Sequence, residues 1–182
     1  MKKTLYIMLI LLMARTPVLA IESVEFFSGY LKADLPEDGA VYEAVPFLLA
    51  LNFEAFTFIR KAGSPSLKLS VEPFFNAVTT PERNTETGVN FLLKYILTPG
   101  KNIQPYLKAG IGLVHITQET RDQVDGFNFL PQAGLGCSFF IKENSALSLE
   151  YRFRHLSNAG FKRPNSGIDA DMFLMGVKFT FN

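Results

Sequence analysis

In Phe127-Asn128-Phe129-Leu130-Pro131-Gln132-Ala133-Gly134-Leu135-Gly136-Cys137-Ser138-Phe139-Phe140-Ile141, every second side chain has the same character. The odd positions are apolar from Phe127 to Ile141, while the even ones include Asn128, Gln132, Gly134, Gly136 and Ser138. Alternation with period two is the signature of a strand with two unlike faces. A helix would group its apolar residues every three or four positions instead.

The same pattern repeats outward from this stretch. Thr87 to Leu97 sets Val89, Phe91, Leu93, Tyr95 and Leu97 against Gly88, Asn90 and Lys94. Pro105 to Thr117 sets Leu107, Ala109, Ile111 and Leu113 against Lys108, Gly110 and Gly112, and Ser66 to Val78 alternates likewise. With the strand-like Ser23 to Asp34, Val41 to Phe53, Ala146 to Ser157 and Asp169 to Phe181, eight strands are expected. An even number of strands of about ten residues, apolar on one face and small or polar on the other, predicts an all-β chain. The architecture expected is an eight-stranded antiparallel transmembrane β-barrel. A lumen of this size has no room for so many aromatic side chains, so the apolar face belongs outside, in lipid.

The connections fit that expectation. Short turns are expected near Ala62-Gly63-Ser64-Pro65, Thr98-Pro99-Gly100-Lys101 and Lys142-Glu143-Asn144-Ser145. Longer loops are expected over 36–40, 79–86, 119–126 and 158–168. The last residues, Val177-Lys178-Phe179-Thr180-Phe181-Asn182, resemble the assembly signal of bacterial outer-membrane barrels, with Asn182 one residue beyond the usual aromatic ending.

The N-terminus reads as an export signal: Lys2 and Lys3, an apolar run from Leu5 to Met13, then Pro17-Val18-Leu19-Ala20. A single-span anchor is the rival, but the run is short and Arg15 interrupts it. Cleavage after Ala20 leaves one domain, 21–182. A net charge of +1 offers nothing to a nucleic acid. The one cysteine, Cys137, excludes an internal disulfide and is expected to be an apolar filler. His115 has no ligand-type neighbours and no metal-ligand spacing occurs, so neither metal nor other cofactor is expected.

Chemistry-bearing residues gather near the C-terminus, in Arg154-His155-Leu156-Ser157-Asn158-Ala159-Gly160 and Pro164-Asn165-Ser166-Gly167-Ile168-Asp169. By parity His155 and Ser157 share the face of Leu147, Leu149, Tyr151 and Phe153, while Arg152 and Arg154 point inward with Glu150, Lys108 and Glu72. An internal salt-bridge network is expected there rather than a channel. Asp169 shares the apolar face of the last strand, beside Ser157 in a hairpin pair. Polar groups on a lipid-facing wall are costly and call for a reason. With both termini periplasmic, this cluster lies at the outer leaflet, where a lipid substrate can be taken sideways from the membrane.

These segments resemble the lipid A 3-O-deacylases of the PagL type, and Tyr106 to Gly112 resembles that family's middle strand. The resemblance implies a serine esterase in the outer membrane acting on lipid A of lipopolysaccharide, with Ser157 as nucleophile, His155 as general base and Asp169 as its orienting acid. Asn165 is implied as the oxyanion donor, with Asn158 and the Gly160 backbone N–H as weaker candidates for that role or for shaping the turn. The family has Glu where this chain has Asp169, and Asp171 ranks second for the role. Lys162 and Arg163 are candidates for lipid A phosphates or for a solvated loop. The alternative is a non-enzymatic structural or adhesive barrel. The oligomeric state stays open, a homodimer included.

Overall fold

The computed structural model describes residues 20–35, 37, 39–54 and 65–181. The export segment and most of the expected turn at 62–65 lie outside them. Eight strands run β1 (Ile21–Leu35), β2 (Ala40–Phe53), β3 (Ser66–Thr80), β4 (Asn84–Ile96), β5 (Ile103–Ile116), β6 (Gly126–Lys142), β7 (Ser145–Leu156) and β8 (Ile168–Thr180). Each pairs antiparallel with its sequence neighbour, and β1 pairs with β8 to close the barrel.

One connection differs from expectation. The 79–86 loop shrinks to 81–83, because Val78 pairs with Asn84 and Ala77 with Thr85, extending both strands. Threonines suit a pleated strand as well as a loop, so polarity alone misplaced this boundary.

The alternation resolves into two environments. Phe26, Phe47, Phe91, Leu135, Phe173 and Met175 stand outward and exposed, forming an apolar belt. Inside, the half of the lumen nearer the 117–125 and 157–167 loops is packed with apolar side chains, among them Leu31, Tyr42, Val114, Leu156, Ile168 and Met172. Paired charges run among and below these side chains. The Arg152 guanidinium lies between Glu72, at 2.7 Å, and Glu150. Lys108 bridges the same two carboxylates at 2.7 and 3.0 Å. Lys94 pairs with Glu25. Arg154 meets Glu86 through two nitrogens at 2.7 and 2.8 Å, and Glu86 also accepts from Tyr42 and Asn76. Ions this far from water persist only when paired and hydrogen-bonded, as these are. The lumen is therefore a filled core, and chemistry has to take place on the wall or the loops.

Candidate active site

Strand β7 sends its side chains alternately to these two environments. Arg152, Arg154 and Leu156 are buried within the lumen, so His155 between the last two faces out. The register of the β7–β8 ladder places His155 directly opposite Asp169. His155 Nδ1 lies 2.5 Å from Asp169 Oδ1. A carboxylate can only accept, so Nδ1 carries the proton, and in the neutral form of the ring the lone pair is on Nε2. Just below the surface, Leu156 and Ile168 also pair across the ladder and are buried, which anchors both strand ends.

Asp171, the second-ranked acid, is held elsewhere. It sits opposite Phe153 and accepts a hydrogen bond from the Tyr151 hydroxyl at 2.6 Å.

Ser157 follows the last residue of β7 and joins β6 through a bridge to Phe129, with N–H···O bonds of 2.8 and 3.1 Å in both directions. Its backbone is thus fixed one step from His155 on the same face. No hydrogen bond links the His155 ring to the Ser157 hydroxyl among the described residues. Such contacts commonly tighten only around a bound substrate.

The 157–167 loop is organised from within by Asn158, which is buried. Its Oδ1 accepts from the N–H of Gly160 at 3.0 Å and of Lys162 at 3.4 Å, and its Nδ2 donates to the Lys162 carbonyl at 3.1 Å. Ala159 and Gly160 adopt positive φ values of 55° and 83° to make this turn. Asn158 is accordingly a loop-shaping residue here, and the Gly160 N–H is already engaged. Asn165 differs: its Oδ1 accepts from the Asn158 N–H at 2.8 Å, which leaves its Nδ2 without a hydrogen bond among the described residues. The neighbouring 117–125 loop clamps this segment. Ser166 N–H donates to the Asp122 carbonyl, Val124 N–H to the Pro164 carbonyl, and Gln123 forms a bridge to Asn165.

Three features of the site went unnoticed in the sequence. Gly167, at φ 85°, lies against the imidazole: a Cβ there would stand 2.6 Å from His155 Cε1 and 3.1 Å from Nε2. Its position two residues before the acid was the available signal. On the β6 side, Phe129 meets Phe127 edge-on at 5.2 Å and Phe161 at 6.4 Å, giving Ser157 an aromatic flank. The clamp from Asp122 and Gln123 had no sequence signal, since it joins loops about forty residues apart. His115 is exposed on β5 opposite Phe127, and Cys137 is a free thiol opposite Leu149 on the apolar wall.

Two solved structures illustrate the fold. The crystal structure of the outer-membrane enzyme PagL superposes with a TM-score of 0.58 at 19% identity, covering 87% of this chain and 99% of the other. That of Neisserial surface protein A gives 0.64 at 14% identity, covering 91% and 100%. At such identities the likeness establishes the barrel and nothing more. No curated protein matches the chain in sequence. The family model for lipid A 3-O-deacylase (PagL) matches residues 50–178, well over half of the chain and every residue of the site. The chain belongs to the PagL family of lipid A 3-O-deacylases, ester hydrolases of the bacterial outer membrane.

Proposed function

We propose that this outer-membrane deacylase works as a serine esterase, with Ser157 as nucleophile, His155 as general base and Asp169 as the acid that orients it. The observation that carries this reading is the 2.5 Å contact of His155 Nδ1 with Asp169, on the outer wall one step from Ser157. With Nδ1 protonated, Nε2 takes the proton from Ser157 Oγ as the oxygen attacks the ester carbonyl of a lipid A acyl chain. The tetrahedral oxyanion is stabilised by the free Nδ2 of Asn165. Collapse breaks the bond to the sugar oxygen, which leaves with the proton held on Nε2. Water, deprotonated by His155, then attacks the acyl-enzyme, and the fatty acid departs as Ser157 regains its proton. All of these steps use side chains of this chain.

Outer-leaflet access follows from the barrel's direction. With both termini periplasmic, β7 ends and β8 begins at the outer surface, and the outward face of those strands meets lipid. The substrate therefore approaches from the side and need not enter the filled lumen. Asp169 serves despite being shorter than the family's Glu because the ladder already sets it opposite His155.

The test is mass spectrometry of lipid A from cells expressing the chain, beside the Ser157→Ala and His155→Ala forms. Loss of one hydroxyacyl mass with the intact protein alone is the expected result. Unchanged lipid A, with all three proteins folded in the outer membrane, would sink the proposal and leave a non-enzymatic barrel.

A further inference from the structure

The charges around Ser157 are divided between two sides. On the β8–β1–β2 side, Asp169 and Asp171 point outward, and β1 sets Lys32 opposite both Asp171 and Glu43. Asp171 is held by Tyr151, and Glu43 by Tyr30 and Thr80. Acids outnumber bases there, so an anionic group is disfavoured and Lys32 is balanced by its neighbours. On the β6 side the exposed charges of the 157–167 loop are cationic, Lys162 and Arg163, with one exposed carboxylate, Asp125, just before β6, so the bases outnumber the acid there.

Lys162 is the better placed of the two. Its backbone N–H and carbonyl are both gripped by the buried Asn158 side chain, so its Cα is fixed to the same loop that follows Ser157. Its ammonium rests 3.6 Å from where a Cβ on Gly126 would stand. Gly126 opens β6, three residues above Phe129, the bridge partner of Ser157. Three strand residues span about 10 Å, on the scale of a sugar with its substituent. No ion pair or hydrogen bond engages the ammonium among the described residues. Below it lie Phe127 and Phe129, so the cation is at the rim and the aromatics extend toward the bilayer.

We infer that Lys162 is a positioning residue that takes a phosphate on the headgroup of the substrate. Holding that group at the β6 rim turns the sugar so that its ester faces Ser157, while the acids of the β8–β1–β2 side repel the opposite orientation. Charge-assisted contact from an ammonium to a phosphate gives the required strength without base-like chemistry. This inference rests on the serine esterase reading above.

The experiment compares kcat/KM on phosphorylated and phosphate-free lipid A in detergent micelles for the wild type, Lys162→Met, Lys162→Arg and Lys32→Met. The wild type should prefer the phosphorylated substrate by about fivefold, an exposed charged contact being weaker than a buried one. Lys162→Met should lose that preference while keeping its rate on phosphate-free substrate, Lys162→Arg should retain it, and Lys32→Met should behave as wild type. An unchanged preference in Lys162→Met, or an equal loss in Lys32→Met, would overturn the assignment while leaving the esterase reading intact. A wild type inactive on both substrates would overturn both. Millimolar inorganic phosphate should leave all rates unchanged. Inhibition by it that Lys162→Met abolishes would assign the site to free phosphate in place of the lipid headgroup.

Discussion

Replacing Gly167 with alanine should disable the site while leaving the barrel intact. Two separate effects act at this position. The first is backbone strain from a Cβ at φ 85°, costing about 1 kcal/mol. The second is contact: the new Cβ would stand 2.6 Å from His155 Cε1, where carbon atoms ordinarily keep about 3.5 Å or more. The imidazole must therefore shift by roughly 1 Å. It is free to do so, because the ring faces outward and no core residue blocks it. Movement of that size at a reacting group costs on the order of 100-fold, or about 2.7 kcal/mol of barrier. Gly100→Ala isolates the strain, since Gly100 also has a positive φ, 78°, but nothing within 4 Å of its Cβ site. Both variants should fold, as judged by heat-modifiable migration on gels, and both should lose similar stability. Only Gly167→Ala should lose kcat on lipid A. Wild-type kcat in Gly167→Ala, or an equal loss in Gly100→Ala, would refute the claim that this glycine places the catalytic ring.

Two further outcomes follow from named contacts. Asp169→Asn should lower kcat by at least about 100-fold by losing the carboxylate that fixes the His155 tautomer, whereas Asp171→Asn, whose partner is Tyr151, should change it less than about threefold. Equal losses in steady-state assays would mean that the two acids share the role. In the lumen, Arg152→Met leaves Glu72 and Glu150 to share Lys108, and should destabilise the barrel by about 3 kcal/mol in urea unfolding from lipid vesicles, with Arg152→Met/Glu72→Gln recovering part of the loss. An unchanged unfolding midpoint in Arg152→Met would show that the pair is dispensable.

Much of this architecture was legible because each strand faces two solvents. Lipid outside and packed side chains inside impose opposite demands at successive positions, so β6 advertised both its conformation and its inner face. The same parity separated Arg152 and Arg154 from His155 and Ser157 before any geometry was known. Where the environment changes gradually, the signal faded: Thr79, Thr80 and Thr85 satisfy strand and loop equally, and the two strands extended over them. Within the site, parity and hairpin pairing brought Asp169 to the face of His155 and Ser157, and its contact with His155 was implied by the family resemblance, but Asn158 could have served either as an oxyanion donor or as a turn former. Its buried side chain, spent on Gly160 and Lys162, favours the turn. The contacts of Gly167 with His155 and of Asp122 with Ser166 depend on how two loops fold over each other, and no periodicity encodes that.

The placement of the site on the wall follows from what fills the lumen. Strand β7 carries Arg152 and Arg154 inward on the same backbone that carries His155 outward, and each guanidinium is tied to carboxylates on distant strands, Glu72 on β3 and Glu86 on β4. Sliding β7 by one residue would place those charges in lipid and the apolar Tyr151 and Phe153 among the ions, so the network fixes the register strongly. The register in turn sets His155 opposite Asp169. The buried ions thus bear on the site only through geometry: they face the lumen, yet they fix which carboxylate stands beside His155. Under the proposed mechanism a short acid suffices at position 169, since a rigid ladder supplies the approach that a longer side chain would otherwise provide.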